Sequence, residues 1–150
     1  MMVMTNLVLA LLLQTQILSP KVVVGLEDGQ QLVLENPSFM GFIQGAGFDA
    51  LLMYRQKNFR GEMPLSKISR IEFGRYKRGQ PFVMAVTLRN GEKLEVSSDH
   101  RDYVMVKGDT GAGAVTIKHP DPITAQVRLS ERNPNRGKDL TILYLEFPAL

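Results

Sequence analysis

From Lys21 onward, apolar and polar residues alternate in short runs that turn-forming residues interrupt at close intervals. Val22 and Val24 stand before Glu27-Asp28-Gly29, with Leu32 and Leu34 after it; Met84 and Val86 stand before Arg89-Asn90-Gly91, with Leu94 and Val96 after it. Each set reads as two strands of period two around an Asp-Gly or Asn-Gly step, the strongest short-range hairpin signal. The two sets also resemble one another. Val24-Gly25-Leu26-Glu27-Asp28-Gly29-Gln30-Gln31-Leu32-Val33-Leu34 places valine, leucine, glycine and leucine where Val86-Thr87-Leu88-Arg89-Asn90-Gly91-Glu92-Lys93-Leu94-Glu95-Val96 has them.

The side-chain pattern selects the turn. A two-residue turn at Asn90-Gly91 would set Thr87 opposite Leu94 and divide the apolar residues between opposite faces. A three-residue loop with a left-handed glycine, forming a bulge, pairs Val86 with Leu94 and Met84 with Val96. In the first hairpin the same loop pairs Val24 with Leu32 and Val22 with Leu34. Because a slip of one residue moves every side chain to the other face, the bulged loop is expected in both.

A looser correspondence follows each hairpin, between Met63–Phe73 and Lys138–Phe147. Further strands are expected at Phe48–Tyr54, Tyr103–Lys107 and Ala114–Lys118, and no stretch of ten residues after Leu18 carries a helical period. With glycine or proline recurring every 8–12 residues or so, the pattern predicts an all-β protein. Its form is expected to be two related small barrel-like halves packed together, or one β-sandwich. Residues 20–78 would form the first β module and 79–150 the second. Halves of this size bury too little surface to stand alone, so they are expected to share a core. Leu140–Phe147 is nearly continuous apolar, so it is expected to be a central strand, or, at an edge, a seam for self-association. The segment His119–Lys138, with its prolines, is expected to be a long excursion.

Residues 1–19 carry no charge, and their strongest apolar run, Leu7–Leu13, is too short to cross a bilayer of about 30 Å. The run fits the core of a signal peptide, roughly 7–15 residues. No Lys or Arg precedes it and no small-x-small cleavage site follows. A signal peptide or uncleaved anchor is expected here, with a buried element of the fold as the alternative.

Among the 150 residues, 44% are hydrophobic and 22% charged, which excludes wholesale disorder. There is no cysteine and no tryptophan, and histidine occurs twice. Disulfides and thiolate chemistry are thereby excluded, and a transition-metal site is hard to build. No cofactor and no metal are expected.

Leu26-Glu27-Asp28-Gly29 resembles the first-hairpin pattern of small Sm-like or SH3-like barrels, and Phe59-Arg60-Gly61-Glu62-Met63 resembles the Arg-Gly step of the second Sm motif. The run Pro64–Phe73 is similar to one found in duplicated modules of bacterial envelope proteins of unknown role. The resemblance covers about residues 21–74, with a faded copy to 148, and implies a small barrel. RNA-binding Sm proteins carry Asp-x-x-Met-Asn; Asp49-Ala50-Leu51-Leu52-Met53 keeps only the aspartate, so the uridine pocket does not carry over.

Charge is unevenly spread. Arg55, Lys57, Arg60, Lys67, Arg70, Arg75, Lys77 and Arg78 face only Glu62 and Glu72, giving this segment a net +6. Such a segment can hold an anionic partner in a salt-dependent manner, and Tyr54, Phe59 and Tyr76 are interleaved with it. Asp109-Thr110-Gly111-Ala112 resembles the signature of retropepsin-like proteases. That family has an apolar run before the aspartate, where Lys107-Gly108 stand, so a hairpin turn between Val106 and Val115 is the better reading. Neither His100 nor His119 has a nucleophile nearby in sequence. The sequence therefore predicts a non-catalytic, exported bacterial binding or assembly module, located in the periplasm or cell envelope. Its expected partner is a protein or envelope component, anionic ones included, with nucleic acid disfavoured. The alternative is a cytosolic Sm-like nucleic-acid-binding protein using residues 55–78.

Overall fold

The computed structural model describes residues 19–74, 80–99, 103–119 and 142–149. Eleven strands follow in chain order: β1 (Lys21–Leu26), β2 (Gln31–Gly41), β3 (Ile43–Ala46), β4 (Leu51–Gln56), β5 (Phe59–Pro64), β6 (Ile68–Phe73), β7 (Val83–Leu88), β8 (Lys93–Ser98), β9 (Val104–Thr110), β10 (Gly113–His119) and β11 (Ile142–Glu146). Two single-turn 3-10 helices, Gly47–Asp49 and Leu65–Lys67, are the only helical segments among the described residues.

Hydrogen bonding passes from β1 to β11, β6, β7, β8, β4, β3 and β2, then returns from β2 to β1. Eight strands thus close a barrel, and the expectation of an all-β, barrel-like fold holds. Strand β5 hangs on β4 outside the ring, as the β9–β10 hairpin hangs on β2. Strands from both predicted modules contribute to one ring, β11 lying between β1 and β6, and β7 and β8 between β6 and β4, and they surround one core.

Both bulged hairpins form. Val22 pairs with Leu34 and Val24 with Leu32; Met84 pairs with Val96 and Val86 with Leu94. In the first loop the Leu26 N–H donates to the Gln30 carbonyl and the Gly29 N–H to that of Leu26. In the second, Leu88 donates to Glu92 and Gly91 to Leu88. Asp28 and Asn90 each accept, through Oδ1, the N–H two residues on, which is why these side chains favour turns. The glycines take φ of +87° and +91°, a region other L residues avoid.

The closing strands pair across the two halves. Val24 of β1 faces Leu145 of β11, and Val86 of β7 faces Ile71 of β6. Strands β6 and β11 meet with Ile71 opposite Leu145, and both side chains are fully buried. Burial of a side chain of this size contributes about 1.5–3 kcal/mol. With neighbours on both sides, β11 is the central strand its apolar sequence asks for, and it offers no edge for self-association.

Ring closure depends on a bend in β2. Its first half pairs with β1 through Glu35, opposite Lys21, and its second half pairs with β3 from Ser38, opposite Ala46. Between them Asn36 adopts φ +50°, Pro37 brings no N–H, and the register with β9 shifts. The strand expected at Phe48–Tyr54 begins only at Leu51. Gly45 and Gly47 both have positive φ, and the chain turns through Gly47–Asp49 before extending.

A Cβ placed on Gly91 would meet nothing within 4 Å, so a substitution there tests backbone strain alone. Gly91→Ala is expected to lower stability by roughly 1–2 kcal/mol in urea unfolding. Gly111→Ala, equally open and without a positive φ, is expected to leave it unchanged.

Candidate functional site

Five of the eight basic residues are described, and their surroundings differ. Arg70, on β6, donates from Nε to Glu72 at 2.8 Å, lies 3.8 Å from Glu146, and stacks 3.9 Å above the Tyr144 ring centroid. The Tyr144 ring also lies against Gly25, where a Cβ would strike it, and its hydroxyl accepts from Gln31 Nε2. Arg70 is thus committed to holding β1, β6 and β11 together. Lys67 is exposed in the Leu65–Lys67 turn. Arg75, Lys77 and Arg78 lie outside the described residues.

Arg55, Lys57 and Arg60 do converge, at the tip of the β4–β5 hairpin. Arg55 and Arg60 are direct cross-strand partners, and one pair nearer the tip Gln56 faces Phe59. Lys57 occupies the turn with φ +51°, in a conformation where glycine is the usual occupant. These side chains, with Asn58 and Phe59, line an open depression of about 270 Å³. Among the described residues no carboxylate comes within ion-pair distance of the three cations. Like charges directly opposite one another are destabilising, and a left-handed lysine adds backbone strain. Local choices that cost stability without a structural return concentrate at functional sites.

The two tip aromatics differ. Tyr54 lies across Gly61, its cross-strand partner, where a Cβ would meet the ring. Phe59 is 53% exposed and is the only aromatic among the exposed large apolar residues that are described. Tyr54, Arg60, Gly61, Glu62, Met53 and Asp99 border an adjoining depression of about 440 Å³.

His119 is the second candidate, and sequence spacing gives it too little weight. It ends β10, 1% exposed, with ring centroids 4.9 Å from Phe82 and 5.3 Å from Phe73. The Ile142 N–H donates to its Nδ1 at 3.0 Å, so the neutral ring carries its proton on Nε2, which finds no partner among the described residues. Burial lowers its pKa from 6.5 to about 4. In this setting the ring fastens β10 to the start of β11. His100 lies outside the described residues. Asp109 sits on β9 opposite Ala114, and Thr110 closes the following turn by accepting from Ala112 N–H and donating to the Gly113 carbonyl, so the glycine-rich string is a hairpin. Among the described residues no group of His, Asp and Glu is placed to hold a metal.

These features define an all-β closed barrel carrying a basic, aromatic-tipped hairpin. No family model, curated protein or solved structure matches the chain.

Between pH 6.5 and 4 the unfolded chain binds a proton at His119 that the fold refuses, so stability falls as pH falls through this window. The loss attributable to His119 is expected to reach about 3 kcal/mol by pH 4. His119→Leu, compared with wild type by urea unfolding at pH 7 and 4.5, is expected to flatten this dependence. An equal acid loss in both proteins would assign it to other groups.

Proposed function

We propose that the protein is a non-catalytic binding or assembly module of the bacterial envelope, built from two related halves, that engages an anionic partner through the β4–β5 hairpin. The observation carrying this reading is the convergence of Arg55, Lys57 and Arg60 around an exposed Phe59, without a neutralising carboxylate among the described residues. Placement in the envelope rests on the apolar run Leu7–Leu13, whose length suits a signal-peptide core. The kinship of the halves is supported by equivalent registers: Val24 on Leu145 and Gly25 on Tyr144 match Val86 on Ile71 and Thr87 on Arg70. The non-catalytic reading rests on the sequence, which pairs no nucleophile with a base.

A nucleic-acid partner is the rival, since aromatic residues sit among the cations. Sequence-independent stacking uses several rings on which successive bases lie. Here Tyr54 is laid across Gly61, which leaves Phe59 as the ring presented at this tip. An acidic surface asks only for the cations.

Heparin and poly-glutamate serve as probes. Binding is expected to weaken steeply as salt rises toward about 0.2 M. Arg55→Glu/Lys57→Glu/Arg60→Glu is expected to abolish it, whereas Lys67→Glu retains most of it. A triple variant that binds as wild type does would remove the hairpin from the function. Preference for single-stranded RNA over both probes at equal salt would favour the rival.

A further inference from the structure

We propose that the partner of the β4–β5 hairpin is an anionic lipid surface, with Phe59 entering the boundary between headgroups and acyl chains while Arg55, Lys57 and Arg60 contact lipid phosphates. The inference deepens the anionic-partner reading above and rests on it.

The order of residues along the hairpin carries the argument. Lys57 and Asn58 form the turn, Gln56 and Phe59 follow as the next pair, and Arg55 and Arg60 come behind them. The first carboxylate on the hairpin, Glu62, stands further back, opposite Met53. Cationic and aromatic groups are therefore gathered at the tip, while Glu62 and Asp99 border the adjoining depression that only Arg60 of the three cations shares. Strand β5 pairs with β4 and lies off the closed ring, and Arg55 is the last β4 residue paired with β8, so the turn and the Gln56–Phe59 pair stand one step past that pairing. A turn that exposes three cations beside an aromatic ring matches an anionic layer with an apolar interior.

The chemistry of each side chain suits that layer. An aromatic ring gains from leaving water at the interface, and cations near an anionic leaflet gain from its surface potential. Long basic side chains bury their stems while keeping their charge at the phosphates, so Lys57 can stand beyond Phe59 without preventing insertion. Arg55 and Arg60, opposite one another, present two guanidinium groups whose repulsion is relieved when phosphates lie between them. Among the described residues the other exposed large apolar ones are Val33, Met40, Val83 and Leu143, all on strands and none at this tip. One ring and three cations make the docking weak and reversible, so density of anionic lipid controls it.

The chain has no tryptophan, so Phe59→Trp introduces a single reporter. With vesicles of phosphatidylglycerol and phosphatidylcholine, its emission is expected to shift to the blue; with phosphatidylcholine alone it is expected to stay unchanged. Adding Arg55→Glu and Arg60→Glu is expected to abolish the shift. In co-sedimentation, Phe59→Ser, which removes the ring without adding charge, is expected to bind the anionic vesicles about tenfold more weakly than wild type. Poly-glutamate binding, measured in parallel, should be insensitive to Phe59→Ser. Wild-type binding to poly-glutamate without binding to vesicles would overturn the lipid assignment and leave the anionic-partner reading standing. Failure to bind either probe would overturn both. Vesicle binding that Phe59→Ser leaves intact would overturn insertion of the ring.

Discussion

The ring of eight strands closes through β2, which leaves β1 and takes β3 within Glu35–Ser38. Asn36 tolerates a positive φ better than most residues with a Cβ, and Pro37 brings no N–H to be left unpaired in the bend. Strand β4 shares its pairing in the same way, with Leu51 and Leu52 on β3 and Tyr54 and Arg55 on β8. The short β3 is the bridge between these two strands. Without the bend, the apolar faces of β1 and β2 could still pair, but the ring would stay open between β2 and β3. A barrel of eight strands is just narrow enough for side chains to fill it, and Val22, Val24, Leu34, Ile71, Val86 and Leu145 belong to its single core.

Two aromatic clusters extend that core. Phe42 packs with Phe73 and Phe82 beside His119, and Phe147 packs with Phe39 and Phe48. In the first cluster the imidazole accepts a backbone hydrogen bond that a purely apolar side chain would leave unmade. The cost is a second nitrogen without a partner among the described residues. The fold therefore exchanges one buried polar problem for another, and the balance depends on the ring staying neutral. The hairpin tip follows a different logic: its unfavourable charges face water, where they weaken the fold little and remain available.

Much of the local structure is legible in the sequence. Two independent signals, the Asp-Gly or Asn-Gly step and the apolar face, agree on one register for each hairpin, and both registers form. Closure is not legible, because Val24 on Leu145 and Tyr54 on Ser98 join segments far apart in the chain. Strand β3 escapes the pattern, since Ile43–Ala46 is short and contains Gly45. Arg70 groups with the other cations when charge is counted along the chain, whereas one of its acidic neighbours, Glu146, arrives from β11. Burial of His119 does leave a trace: Val115, Ile117 and His119 alternate along β10, which puts the histidine on the face turned toward the core. The proline after it points to a turn instead.

Because Val23 of the first strand lies opposite Glu146 of the last, the two ends of the barrel's strand path are neighbours. The ring consequently has no privileged starting strand. Joining the segments around Lys21 and Phe147 by a short linker, and opening the chain at the exposed Arg89–Gly91 loop, would preserve every pairing in the barrel while changing the order in which the strands leave the ribosome. Such a circular permutant separates what the sequence order contributes to folding from what the closed ring contributes to stability.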